Sequence, residues 1–253
     1  MEPLSTNILV AIAIILIQGS PQTRVSVLPP AGECVRIGSY GNGPSAEPTR
    51  DGELWRCGRF QIEAPLPIGY PAPTPPGAID LKSYPSVRRA EISAKGNPSI
   101  GMFSSFFPLF NHIKSREIAM TSPVEMDYRG MLEKNSNQLN DQNGSWTMSF
   151  LYRTSDMGPT GADGVINVVD TAPVTVLSIG LNGPYGIKKA NEGLTILNTW
   201  LKEHPIWHAT GDPRTFSYNG PAIRNADKWG EVQLPIELIS PVLSPHGPQS
   251  TSD

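Results

Sequence analysis

Arg116-Glu117-Ile118-Ala119-Met120-Thr121-Ser122-Pro123-Val124-Glu125-Met126 lies at the middle of the chain. Ser122 precedes a proline and is thereby pushed out of the helical region into extended geometry. Ile118, Met120, Val124 and Met126 share one parity, so the segment reads as a strand in which Pro123 marks an edge, a bend or a bulge. On both sides the periodicity changes. Upstream, Ile100, Phe103, Phe106, Phe107, Phe110 and Ile113 recur at spacings of three and four, which predicts an amphipathic helix. Pro108 falls inside it and predicts either a start near Ser105 or a kink. Downstream, a polar connection from about Arg129 to Gly144 leads to Trp146, Met148, Phe150 and Tyr152. These alternate with polar residues and predict a half-buried strand. By the same alternation Glu125 and Asp127 read as outward strand positions.

Further out, Ile79 to Ser93 reads as a strand broken near Pro85, and Val165 to Gly180 as one broken at Ala172-Pro173. Ala190, Leu194, Leu197, Trp200 and Leu201 predict a second helix, stopped at His204-Pro205. After a loose segment from Trp207 to Pro221, Val232, Leu234, Ile236 and Leu238 alternate as a final strand. Pro173 follows Pro85 by 88 positions, Lys188 follows Ser99 by 89, and Val232 follows Trp146 by 86. A near-constant offset is the mark of a duplication, here of one βαββ unit, with repeats at about 78–155 and 164–241. The expected class is α+β, a two-lobed antiparallel sheet flanked by two helices.

Charged residues are 17% of the chain and the net charge is −3, a balance that gives no electrostatic footprint for nucleic acid. The apolar run Ile8 to Ile17 is too short to span a bilayer and fits a signal peptide or N-terminal anchor over residues 1–20. No other membrane-spanning segment is expected, and the chain reads as exported. Residues 21–77 read as a Pro/Gly-rich N-terminal extension whose last piece, Pro65 to Gly77, is an extended strap or linker, with the folded domain beginning near Ala78. Residues 242–253 read as a flexible tail. An exported chain could join Cys34 and Cys57 in a disulfide closing a loop of about 22 residues, worth roughly 3 kcal/mol.

Phe110-Asn111-His112-Ile113-Lys114 followed by Ile118-Ala119-Met120-Thr121-Ser122-Pro123-Val124 resembles the signature of the SOUL haem-binding proteins. Tyr84-Pro85-Ser86-Val87-Arg88-Arg89-Ala90 is similar to that family's first strand. The resemblance spans roughly residues 78–240. It implies a distorted β-barrel or two-lobed sheet built from two βαββ repeats, and it implies haem or another tetrapyrrole as ligand. Haem iron takes an imidazole ligand, so His112 is the candidate axial metal ligand. The alternative is a hydrogen-bonded histidine near a helix C-terminus. Met102, Phe103, Phe106, Phe110 and Met120 are candidates to line an apolar cleft, or they are plain core. Arg88 and Arg89 point to opposite sides of a strand, and one of them could pair with a propionate.

Catalysis has little support. No Gly-x-Ser-x-Gly elbow occurs, no helix face carries paired carboxylates, and Thr121 and Ser122 suit local turn bonding. The expected function is therefore non-enzymatic tetrapyrrole binding. A different class of ligand is open as well. The duplicated βαββ unit resembles the effector domains of multidrug-sensing regulators, which set a buried carboxylate in an aromatic pocket. Glu231 or Glu237 would be that carboxylate here, and a hydrolase of such ligands would depend on the same residue.

Overall fold

The computed structural model describes residues 28–239; the apolar run Ile8 to Ile17 and the expected tail at 242–253 lie outside the described residues. The chain begins with β1 (Cys34–Ser39), β2 (Thr49–Asp51), β3 (Leu54–Cys57) and β4 (Phe60–Gln61). Then come β5 (Ala78–Tyr84), β6 (Arg88–Ala94), α1 (Pro98–Ser115), β7 (Val124–Arg129) and β8 (Ser145–Leu151), the single strand expected over Ile79 to Ser93 being two. After the short β9 (Gly161–Asp163) come β10 (Ile166–Asp170), β11 (Val174–Asn182), α2 (Ile187–Glu203), β12 (Trp207–Ala209), β13 (Arg214–Ser217) and β14 (Trp229–Leu238). The fold is α+β, as the periodicities require.

One large antiparallel sheet runs in the order β1-β5-β11-β14-β13-β7-β8-β6-β10-β9, with β12 added on β14. Its end strands β1 and β9 do not pair, so the barrel closure implied by the resemblance is not made. Strands β2, β3 and β4 form a separate small sheet. The segment expected to be loose between Trp207 and Pro221 supplies β12 and β13, strands too short, with Gly211 and Pro213 between them, to leave a period in the sequence. The bend at the Met120–Val124 stretch is a cis Ser122–Pro123 peptide, after which β7 begins.

Both helices pack on one face of the sheet. Asn97 caps α1 by accepting from the Ser99 amide at 2.9 Å, and the helix runs unbroken through Pro108. The bond that Pro108 cannot donate would have gone to Ser104, whose carbonyl lies on an exposed turn. Gly101 lies flat on the Trp146 indole, and Phe106 meets Phe150 edge-on at 5.1 Å. In α2, Gly193 lies against Val232 in the same way. These contacts belong to the main core, which includes Leu109, Met148, Leu177, Leu194, Leu197, Val232 and Leu234.

The other face has its own, smaller core. Cys57, Phe60, Ile62 and Leu66 from the N-terminal part meet Tyr84, Val176, Phe216, Tyr218 and Trp229 of the sheet. Residues 62–77 are indeed an extended strap, but they are seated on the sheet, and β1 pairs with β5 in register Cys34↔Lys82. The expected Cys34–Cys57 disulfide does not form: Cys34 lies on the large sheet and Cys57 on the small one, and both thiols are free. The Cys57 thiol instead donates to the Ala46 carbonyl at 3.1 Å.

Candidate functional site

Alternation along a strand sends every second side chain to the face away from the helices. Following the cross-strand partners there gives a row Asp80, Ser178, Gln233, Arg214, Asp127 and Thr147, each directly opposite the next. A parallel row runs Glu231, Phe216, Glu125, Ser149 and Glu91. Lys82, Tyr84 and Arg89 extend the same face. All of these but the partly buried Asp127 are buried, with the strap and the small sheet packed on the Tyr84, Phe216 and Glu231 end of the face. The helix-free face is therefore a polar, charged and aromatic layer closed off from water.

Glu231 is its centre. Its carboxylate accepts from Lys82 Nζ at 2.9 and 3.0 Å, the Thr74 amide at 2.7 Å, Ser178 Oγ at 2.7 Å, the Tyr218 hydroxyl at 2.6 Å and Gln233 Nε2 at 2.6 Å. The side chains of Lys82 and Glu231 have no solvent exposure. Burial works to raise the Glu231 pKa, but the Lys82 ammonium and the surrounding donors outweigh it and hold the carboxyl below its ordinary value. Aromatic rings enclose the pair. Lys82 Nζ lies 5.4 Å from the Tyr84 ring centre, and Tyr218 and Trp229 pack 5.7 Å apart beside it.

A second charged group occupies the neighbouring strands. Glu125, fully buried, takes Arg89 Nη1 and Arg214 Nη1, each at 3.1 Å, and the Arg214 guanidinium is stacked 4.8 Å from both Tyr84 and Phe216. Arg89 also reaches Asp127 at 2.9 Å. Glu125 is thus an interior residue, contrary to the outward position expected for it, while Asp127 on the same face is only partly buried. Alternation alone cannot distinguish water from a second covering layer. Several buried atoms here have no hydrogen-bond partner: Arg89 Nε, Glu125 Oε2, Ser149 Oγ and Arg214 Nη2.

Burial, and then the Glu125 charge, push the Asp127 pKa up to about 6. Because this lies above the ordinary Asp value, the folded state holds the proton more tightly than the unfolded chain does. The resulting stabilisation is complete below about pH 4 and is lost as the pH rises through about 6. Asp127→Asn should remove about 2–3 kcal/mol of pH dependence in that window. Urea denaturation of both proteins at pH 4, 5, 6 and 7 checks this, and parallel profiles would refute it.

The strap closes the layer from above. The Thr74 amide donates to Glu231 while its carbonyl accepts from Trp229 Nε1 at 2.7 Å. Tyr70 meets Tyr84 edge-on at 4.8 Å and stacks on Phe216 at 6.4 Å. Farther along, the Pro65 carbonyl accepts from the Ser122 amide at 3.0 Å, so the Met-Thr-Ser-Pro-Val stretch anchors the strap. A shallow surface cavity of about 330 Å³ lies elsewhere, between β1 and α2, lined by Tyr40, Ile79, Thr199 and Trp200 among others.

The residues expected to hold a tetrapyrrole do not converge. His112 is buried, with Nδ1 on Asp163 at 2.7 Å and Nε2 on the Tyr152 hydroxyl at 2.9 Å, so both ring nitrogens already have partners. Phe103 and Phe110 face outwards, while Met102, Phe106 and Met120 are half-buried against the core. Arg88 pairs with Asp170 at the surface, and Arg89 is in the charged layer on the other side. This set does not fit an axially ligated haem. Among the described residues, no group of three or more His, Cys, Asp or Glu is arranged to hold a metal ion. Of the two carboxylates named for an aromatic pocket, Glu231 is in one and Glu237 is exposed on β14. Lys82, Glu125 and Arg214 escaped the sequence reading. For Lys82 and Glu125 the signal is charge recurring at one parity of a strand whose other parity is largely apolar, whereas Arg214 on the four-residue β13 has no such pattern.

No family model matches the chain, and no curated protein matches it. Among solved structures, EcmrR in complex with DNA is similar at a TM-score of 0.52 and 16% identity, over 64% of this chain and 57% of that one. An uncharacterised conserved protein from Listeria innocua is similar at a TM-score of 0.50 and 12% identity, over 65% of this chain and 94% of that one. The EcmrR C-terminal domain is similar at a TM-score of 0.47 and 17% identity, over 64% and 98% respectively. At such identities the likeness is one of fold. It nevertheless corrects one expectation. The exclusion of nucleic acid drawn from the charge balance does not stand, because a protein sharing this fold is solved on DNA.

Proposed function

We propose that the chain is a non-enzymatic binding module for a lipophilic cation, with Glu231 as the recognising carboxylate. The carrying observation is that Glu231 lies fully buried among Tyr84, Tyr218 and Trp229, neutralised by an ammonium from the same chain. Aromatic rings around a desolvated carboxylate attract cations through both the ring quadrupole and the charge. Lys82 occupies the place such a ligand would take, and the strap covers it. Binding therefore requires the 70–77 part of the strap to lift and the ligand charge to compete with the ammonium.

Removing the internal competitor is the direct test. Tetraphenylphosphonium, titrated calorimetrically, should bind Lys82→Met at least tenfold more tightly than the unaltered chain and should raise its melting temperature. Lys82→Met/Glu231→Gln, which lacks both charges, should lose that gain. Equal binding by all three proteins, or none by any, would overturn the assignment.

We infer also that the two βαββ units arose by duplication and that kinship with the SOUL proteins extends to the fold. In support, the sheet order is symmetric outwards from the central β7–β13 pair: β8 and β14, then β6 and β11, then β10 and β5.

A further inference from the structure

The two helices occupy corresponding places but present different outer faces. Outside α2 are Lys188, Glu192, Thr195, Thr199 and Glu203, as expected of a helix facing water. Outside α1 are Ile100, Phe103, Phe107 and Phe110, exposed by 76%, 70%, 63% and 39% respectively. Their spacings of three, four and three place them on one stripe along the helix. Scattered exposed apolar residues need no explanation, but a contiguous aromatic stripe marks a contact surface.

The charges around the stripe identify what it contacts. No acidic residue occurs between Pro98 and Ser115. Exposed Lys95 precedes the helix, exposed Lys114 is in its last turn, and Arg116 caps it. Exposed Lys188 begins α2 close by, since Gly186 lies against Ser99. Of the acids near the helix ends, Asp163 is held by Arg116 and His112, Asp141 accepts from Asn97, and Glu117 lies past the C-terminal cap. A second copy docked across a two-fold would set Lys95 against Lys114, like charges with no helix acid between them. An anionic lipid surface matches both features: headgroups for the basic ends, and the interfacial layer for the aromatic stripe. The sequence contains another lipid-seeking element in the uncharged run Ile8 to Ile17, and durable membrane attachment commonly needs two weak signals.

We propose that the outer face of α1 is a membrane-docking surface, which lays Ile100, Phe103, Phe107 and Phe110 into the interface of an anionic bilayer.

The full chain should co-sediment with vesicles of equimolar phosphatidylcholine and phosphatidylglycerol, and less so as salt is added. Phe103→Ser/Phe107→Ser, both outward-facing and so neutral for folding, should weaken the partition about 10- to 100-fold. In the otherwise unaltered chain, Phe107→Trp should shift its emission to shorter wavelength on adding vesicles and be quenched by brominated lipid. Three results would overturn the proposal. The first is no binding. The second is binding that the double serine variant retains, which would give the role to the N-terminal run alone. The third is a lipid-free dimer that the same variant converts to monomer, which would give the face to a second copy.

Discussion

Lys82→Met should lower the unfolding free energy by about 3–5 kcal/mol near neutral pH, because it leaves the Glu231 carboxylate charged and buried without its counter-ion. The methylene stem is kept, so little of the loss comes from a cavity. Four other donors still reach Glu231, from Thr74, Ser178, Tyr218 and Gln233. They replace part of its hydration but none of its charge compensation. The pH profile tests the cause. In the unaltered protein the Glu231 pKa is depressed, so its contribution is present above the unfolded value and is lost as the pH falls through the folded one. Without Lys82, burial dominates and the folded pKa moves up. Stability should then rise on acidification from pH 7, the reverse slope. Lys82→Met/Glu231→Gln should recover most of the loss, as buried ion pairs are often replaceable by neutral groups. Guanidinium denaturation of the three proteins at pH 5 and 7 measures all of this. A loss under about 1 kcal/mol in Lys82→Met would mean that water reaches the pair.

Gly180→Ala should cost about 3 kcal/mol and loosen the strap. Gly180 is in the interior of β11, where alanine would ordinarily be the better residue by roughly 0.5–1 kcal/mol. A Cβ there would overlap the Pro75 and Thr74 carbonyl oxygens, which are backbone and cannot rotate away. The Gly77 amide donates to the Gly180 carbonyl at 2.9 Å, so the strap is held at the closest approach two backbones allow. The added methyl must push Pro75 off the sheet, and with it Thr74, which bridges Glu231 and Trp229. Faster amide exchange at Thr74 and Gly77 and a lowered melting temperature are the measurements. If exchange is unchanged, the strap has no part in covering Glu231.

The helices, β8 and the repeat offset were legible because each depends on a local period. Phe103, Phe106 and Phe110 could signal only a helix, and Trp146, Met148 and Phe150 only a strand. What escaped is the destination of the opposite parity. Glu125 and Asp127 alternate with Val124 and Met126 as a strand half in water would. The cover over Glu125 comes from residues 62–77, which have no period and enough proline to pass for a linker. His112 was legible as a special residue, but its partners Asp163 and Tyr152 come from 51 and 40 positions away, beyond the reach of any local pattern. Glu231 is a candidate, beside Glu237, only through the resemblance to multidrug effector domains, and Lys82 carries no motif at all.

The strap has one more consequence, for the order of events on a ribosome. Thr74 and Lys82 emerge early, but Glu231 follows them by 157 and 149 residues. Domains form N-terminal part first only where early segments find early partners. Here β14 must be synthesised before Lys82 has its counter-ion or Thr74 its partners, and such long closures fold slowly. The first-made part of the described chain is therefore among the last to be completed, and a chain cut short before Trp229 would keep the strap's contacts to Gly180 and Ser122 but lack the carboxylate it covers.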